Sequence, residues 1–280
     1  MKTEIASTLA GALAAAWYEN SATGNGGVMK TIGMLLAAAA LAMTPNVAAA
    51  APADVAAAVA APGRTPDNVK LDEGRKPTEV LNFFGLRKGS RVIDMFGANQ
   101  YWAEIMAPVV GPRGKIVVWQ PTQFLNEDRR KKFAEFAKRR KNVSLISSPF
   151  EAPALGTNAY DFMIMNLDYH DVYLENPERK VVRMEPDPWL KAVYAAMKPG
   201  ATVGIIDHVA LPNGDARATV RKLHRIDPEV LKADFQRAGF VLTGVRNFLR
   251  NPADDHSLIV FDPAIRGKTD RVVYRFRKPR

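Results

Sequence analysis

The sequence predicts an α/β domain built on a mostly parallel sheet with helices on both faces, and two observations carry that prediction. First, residues 91–121 (RVIDMFGANQYWAEIMAPVVGPRGKIVVWQP) read as strand, loop, helix, strand. Arg91-Val92-Ile93-Asp94 is an apolar β-branched run closing on an acid. Tyr101, Trp102, Ile105, Met106 and Val109 then recur at three- and four-residue steps until Gly111-Pro112 stop the helix, and residues 116–119 form a second apolar run. Second, residues 160–167 and 202–206 are also continuous apolar runs without polar alternation, as expected of strands covered on both faces. In such sheets ligands bind beyond the carboxyl ends of the strands, which makes the loop at 96–100 the first place to look for one.

The N-terminal fifth of the chain does not belong to this pattern. From Met29 it reads MKTIGMLLAAAALAMTPNVAAA: one positive residue, an apolar run over 32–43, a break at Pro45 and small residues at Ala48 and Ala50. That is a secretory signal peptide over 29–50, with cleavage expected after Ala50. Its apolar run falls short of the roughly 18 residues needed to span a bilayer, so no transmembrane anchor is expected after cleavage. Residues 1–28 read as an upstream start-codon extension without fold, or as a second, Ala-rich targeting segment. Residues 51–74 are Ala/Pro-rich and then polar, the composition of a flexible leader. The folded domain is expected over 75–280.

Within it, Pro77 starts a helix whose apolar face is Val80, Leu81 and Phe84, stopped by Gly85. After the central unit, residues 126–140 form an amphipathic helix with Phe133, Phe136 and Ala137 inward and two basic clusters outward. Residues 143–146 are the third strand and 160–167 the fourth. Asp187-Pro188 caps the next helix, Lys198-Pro199-Gly200 turns it into a fifth strand over 202–206, and Asp227-Pro228 caps another helix closed by Gly239. Residues 240–245 and 271–276 are the last two strands. The alternation in the latter suits an antiparallel strand with one wetter face.

The stretch around Asp94 resembles motif I of the class I S-adenosylmethionine (SAM) dependent methyltransferases, and the tail DDHSLIVFDPAIRGKTDRVVYRFRKP is similar to the end of an exported bacterial branch of that family. The resemblance implies a Rossmann-like three-layer sandwich with a seven-stranded, mostly parallel sheet and an antiparallel last strand. It also implies roles: Asp94, Gly97 and Asn99 at the methionine end of SAM, Gln120 at the ribose, Asn166 and Asp168 near the methyl group, and His170 or His208 toward the acceptor. This chain departs from the motif in two places. The glycine-rich positions read Gly97-Ala98-Asn99-Gln100, which adds Cβ atoms where the family keeps bare backbone. An uncharged Gln120 stands where the family ends its second strand with an acid. These departures predict weak SAM binding.

The same residues also have plainer readings. Asp94 could cap the amides of its own loop, and His170 could be a loop histidine paired with Asp168 or Asp171. His224-Arg225 precedes a helix cap and reads as structural. No HxxxH or HExxH spacing places two ligands on one helical face, so no metal is expected. Ser147-Ser148 lacks a nucleophile elbow, and the absence of GxGxxG and of a second-strand acid argues against a nicotinamide dehydrogenase. Two functions remain: an exported methyltransferase acting on a small molecule or envelope acceptor, located in the periplasm or secreted, and a non-catalytic binding protein on the same scaffold. The net charge of +10 favours peripheral contact with an anionic envelope surface. The basic helix lacks the aromatic interleaving of a nucleic-acid surface, so no nucleic-acid partner is expected. There is no cysteine, hence no disulfide.

Overall fold

The computed structural model describes residues 54–280, so the expectations for 1–28 and for the signal peptide lie outside the described residues. A seven-stranded sheet runs in the order β3-β2-β1-β4-β5-β7-β6. Its strands are β1 (Arg91–Met95), β2 (Lys115–Pro121), β3 (Val143–Ser148), β4 (Tyr160–Asn166), β5 (Met197–His208), β6 (Val241–Arg246) and β7 (Arg271–Arg277). Pairing is parallel from β3 through β5, whereas β7 is antiparallel to both neighbours. The chain order reverses between β1 and β4, and this is where an open α/β sheet splits to form a crevice.

Helices cover both faces. The helices of the domain are α4 (Pro77–Phe84), α5 (Tyr101–Val110), α6 (Glu127–Arg139), α7 (Pro186–Ala196), α8 (Ala216–Leu223) and α9 (Pro228–Arg237), preceded by α1 (Val55–Val59), α2 (Pro66–Val69) and α3 (Asp72–Arg75). On one face, Leu81 and Phe84 of α4, Ile105 and Met106 of α5, and Phe133 and Phe136 of α6 pack on Val92, Val118 and Ile164. On the other, Trp189 and Val193 of α7 and Leu231 and Phe235 of α9 pack on Ile93, Met163, Val203 and Phe276. Gly204 is required on the first face: a Cβ there would lie 2.3 Å from the Phe84 ring, so its absence lets α4 settle on β5.

Three local expectations are corrected. Helix α7 begins at Pro186, with Glu185 in the cap position and no side-chain cap, rather than at an Asp187 cap. Lys198-Pro199-Gly200 is not a turn but the start of β5, because the end of the chain extends the sheet there: Gly200 N–H donates to Lys278 O (2.9 Å) and Lys278 N–H to Ala201 O (3.1 Å). Strand β7, antiparallel between β5 and β6, has the wetter face expected of it toward its end: Val272, Tyr274 and Phe276 are buried on one side, while on the other Arg275 is half-buried and Arg277 exposed.

The third correction concerns the segment read as a flexible leader. From residue 54 it folds as α1 (Val55–Val59), α2 (Pro66–Val69) and α3 (Asp72–Arg75). Val55 and Ala58 pack into the core face shared with α4 and α5. Polar anchors complete the attachment. Buried Glu104 of α5 accepts from Thr65 N–H (2.7 Å), Thr65 Oγ1 (2.9 Å) and Asn68 Nδ2 (3.0 Å), and the Arg64 guanidinium grips Asp72 through both carboxylate oxygens. Composition misleads here because three short helices, each marginal alone, borrow their stability from a finished surface.

Candidate functional site

The chain leaves β1 through a tight loop. Gly97–Asn99 form a 3₁₀ turn flanked by Phe96 (φ 59°) and Gln100 (φ 71°), both in the left-handed region. Non-glycine residues are strained there, so Phe96 and Gln100, rather than Ala98 and Asn99, are the costly positions in this loop. Packing holds them. The Phe96 ring meets Trp119 and Phe150 edge-on at 5.2 and 5.3 Å between centroids. Gln120, buried at the end of β2, accepts the Ala98 N–H through Oε1 (3.2 Å). Asn99 is exposed and uses Oδ1 to accept from Tyr101 N–H (3.1 Å), so its side chain caps α5.

Beneath this loop lies Asp94. Its carboxylate is so close to Gly97 that a Cβ on the glycine would sit 2.3 Å from Cγ and Oδ2. Burial raises its pKa to about 8, against the opposing pull of the Arg75 charge and the Ala103 amide. Asp94 Oδ2 is buried without a hydrogen-bond partner among the described residues, and so is Arg75 Nη1. The Arg75 guanidinium lies over the Tyr101 ring, 4.2 Å from its centroid, and the Tyr101 hydroxyl donates to Asp72 (2.7 Å). The folded leader thus delivers an arginine to the loop.

A second cluster forms beyond β4 and β5. Asn166 ends β4, half-buried, and the 3₁₀ turn Tyr169–Tyr173 follows directly after Asp168. Fully buried Asp207 on β5 accepts the His170 N–H (2.8 Å), the His208 N–H (2.8 Å) and a bond at His170 Nδ1 (2.7 Å). The partner of His170 is therefore Asp207, not the flanking acids. Burial works against a charged His170, but Asp207 and Asp171 outweigh it and lift its pKa to about 9. Asp168 is held well above the usual carboxylate range by desolvation and by Asp171. His208 goes the other way, kept neutral by burial and by the His170 charge, with Nδ1 on Thr269 Oγ1 (2.7 Å).

Asp94, Gly97, Gln120, Asn166, Asp168, His170 and His208 all come to the carboxyl ends of β1, β2, β4 and β5, whereas Asn99 is turned to solvent. A cleft of about 960 Å³ opens at the ends of β4 and β5, between Leu167 and His208 on one side, α3 on a second, and the 248–271 segment on a third, and of the predicted site residues just named only His208 lines it. Its lining is basic, with Lys70, Arg75, Arg266, Lys268 and Arg271 against one acid, Glu73. Arg271 is buried, and burial together with the Arg75 charge lowers its pKa to about 10. No carboxylate pairs with either arginine among the described residues. Sequence reading missed both: Arg75 lies outside any motif, and Arg271 sits in the tail that resembles the family without a role assigned to it.

Several solved structures share this architecture. One is a SAM-dependent methyltransferase from Aquifex aeolicus (19% identity, TM-score 0.51, 76% of this chain and 94% of that one). A second is the 1,6-didemethyltoxoflavin-N1-methyltransferase of Burkholderia thailandensis with its substrate and S-adenosylhomocysteine bound (13% identity, TM-score 0.51, 76% and 80% covered). A third is a SAM-dependent methyltransferase from Mesorhizobium loti (13% identity, TM-score 0.51, 74% and 99% covered). This chain has the SAM-dependent methyltransferase fold. No protein-family model matches its sequence, and no functionally curated protein does.

Proposed function

We propose that the protein is a SAM-dependent methyltransferase acting on a small anionic acceptor. One observation carries the reading: at the β1 loop a carboxyl oxygen, Asp94 Oδ2, and a guanidinium nitrogen, Arg75 Nη1, are both buried without partners. Leaving such groups unmatched costs about 1–3 kcal/mol each, more when charged. An amino-acid end bearing an ammonium and a carboxylate supplies both missing partners at once, and SAM carries that end. When bound, SAM supplies an activated methyl group. The chain's own task is then to position the acceptor and to remove a proton from it where needed. His208, uncharged and lining the cleft, can accept a hydrogen bond from the acceptor and orient it. Arg271 and the basic rim suit a carboxylate or phosphate on the acceptor.

Titration calorimetry with SAM is the test. The strain at Phe96 and Gln100 and the uncharged Gln120 lead to an expected Kd of about tens of micromolar. Arg75→Met should weaken it by about tenfold or more. Absence of heat with SAM in the wild type sinks the enzyme reading in favour of a binding protein on this scaffold, an alternative supported by the aromatic plug of Phe96, Trp119 and Phe150 beside the loop. Transfer of labelled methyl only to neutral compounds, in a panel that includes carboxylates and phosphates, sinks the anionic acceptor.

Export is part of the proposal and rests on the pattern from Met29. Sequencing the N-terminus of protein made in a Gram-negative host should find a chain beginning near Ala51 outside the inner membrane. An intact Met1 or Met29 refutes it. Among the described residues no helix is long and apolar enough to cross a membrane. A basic mature chain suits peripheral contact with an anionic envelope surface.

A further inference from the structure

The folded chain brings His170, Asp171 and His224 together, although 53 or more residues separate His224 from the other two. One nitrogen of each histidine and one carboxylate oxygen lie within 4.8 Å of one another. Asp171 Oδ1 is 3.5 Å from His170 Nε2 and 3.4 Å from His224 Nδ1. Those separations are too long for good hydrogen bonds, and Asp171 Oδ1 is buried without a partner. They suit a metal instead: ligands about 2.0–2.1 Å from a tetrahedral zinc are about 3.3 Å apart.

We propose that His170 Nε2, Asp171 Oδ1 and His224 Nδ1 bind a divalent transition-metal ion of the zinc class. Two imidazoles and one carboxylate favour zinc, iron or manganese over calcium or magnesium, which prefer all-oxygen sets. The surroundings are built for that use. His170 spends its other nitrogen on the fully buried Asp207 (2.7 Å), the carboxylate–histidine arrangement that orients metal-binding imidazoles and raises their basicity. His224 is held at a left-handed backbone position (φ 51°) that closes α8, with its ring 4.9 Å from that of Phe261. Without that conformation the helix would carry on past Leu223. Three ligands leave a fourth position for water or a second ligand, and Phe261 lines the adjoining cleft. The three ligands come from two chain segments joined only by the fold, so spacing along the sequence does not reveal them.

The site is independent of SAM binding and is tested without it. Untagged protein, stripped with chelator and dialysed, is titrated with zinc against a competing chromophoric chelator and, separately, with cobalt. The expected result is one ion per chain at sub-micromolar Kd and intense cobalt d–d bands of four- or five-coordinate geometry. His224→Ala and Asp171→Asn should each weaken zinc about 100-fold or more, and Asp207→Asn about 10- to 100-fold. His256→Ala, at a histidine paired with Asp270 instead, should leave binding unchanged. Circular dichroism identifies any variant that fails to fold, and the Asp207→Asn and cobalt arms then decide. No zinc uptake by the wild type overturns the site. Uptake that His224→Ala and Asp171→Asn leave unaltered overturns it equally.

Discussion

Gly97→Ala should abolish detectable SAM binding and lower the melting temperature by about 6–12 °C, as expected for an overpacking cost of about 3 kcal/mol in a domain of this size. Neither side of the contact can yield. The new Cβ would lie 2.3 Å from the Asp94 carboxylate. That side chain stands on β1, hemmed in by β2 and β4 in parallel register. The loop cannot rise, because Gln100 N–H is bonded to Gly97 O (2.8 Å), Ala98 N–H to Gln120, and Phe96 is wedged against two aromatic rings. Scanning fluorimetry and calorimetry with SAM measure the two effects. A melting temperature within about 2 °C of wild type, with SAM affinity retained, would show that the loop is not the rigid cradle described here.

Asp254→Ala should be the most destabilising single change at the rim of the cleft, costing about 3–5 kcal/mol, or about 6–20 °C in melting temperature. Arg225 and Asp254 are both wholly buried, and the guanidinium reaches both carboxylate oxygens at 2.9 Å. Arg225 also donates to Leu258 O (3.0 Å) and Val209 O (3.1 Å), and Asp254 accepts the Asp270 N–H (2.7 Å). The pair thereby ties the end of β5 to the 248–271 wall of the cleft. Removing the acid alone strands a buried cation, whereas Arg225→Met with Asp254→Ala removes both charges and should recover part of the loss. A single variant that costs less than about 1 kcal/mol, or a double variant no better than the single, would contradict this account.

What could be read in the sequence was local. β1, α5 and β2 follow from apolar periodicity, and Gly85, Gly239 and Asp227-Pro228 mark helix ends because turn chemistry acts within a few residues. Asp168 and His208 follow from the rule that strand ends gather ligands, whereas Asp94 and Gln120 come from the family resemblance. The missed features depend on distance in the chain. The partner of Asp254 is Arg225, and His224, read as structural, meets His170 only after α8 has docked. Helix α8 itself went unread because its polar residues hide a short apolar stripe of which only Thr219 and Val220 are buried. The leader's helices were hidden for another reason: their partners, Glu104 and the α5 surface, lie downstream and read as an ordinary amphipathic helix. Left-handed Phe96 and Gln100 carry no sequence signal, since neither residue type announces that conformation.

Edge strand β6 bears on how copies of the molecule meet. It exposes Val241 and Val245, and an exposed apolar edge invites another chain to add a strand. Its pairing with β7 slips between Leu242 and Gly244, a bulge that bends the edge away from the straight template a second sheet would need. Arg246, Arg275 and Arg277 crowd the same corner, where partial burial and then the charges of Arg277 and Arg246 lower the pKa of Arg275. A second copy approaching edge-on would bring a like-charged trio against them. At the β6 edge, therefore, a bent backbone and a repelling charge cluster offset the exposed valines and discourage strand addition by a second copy.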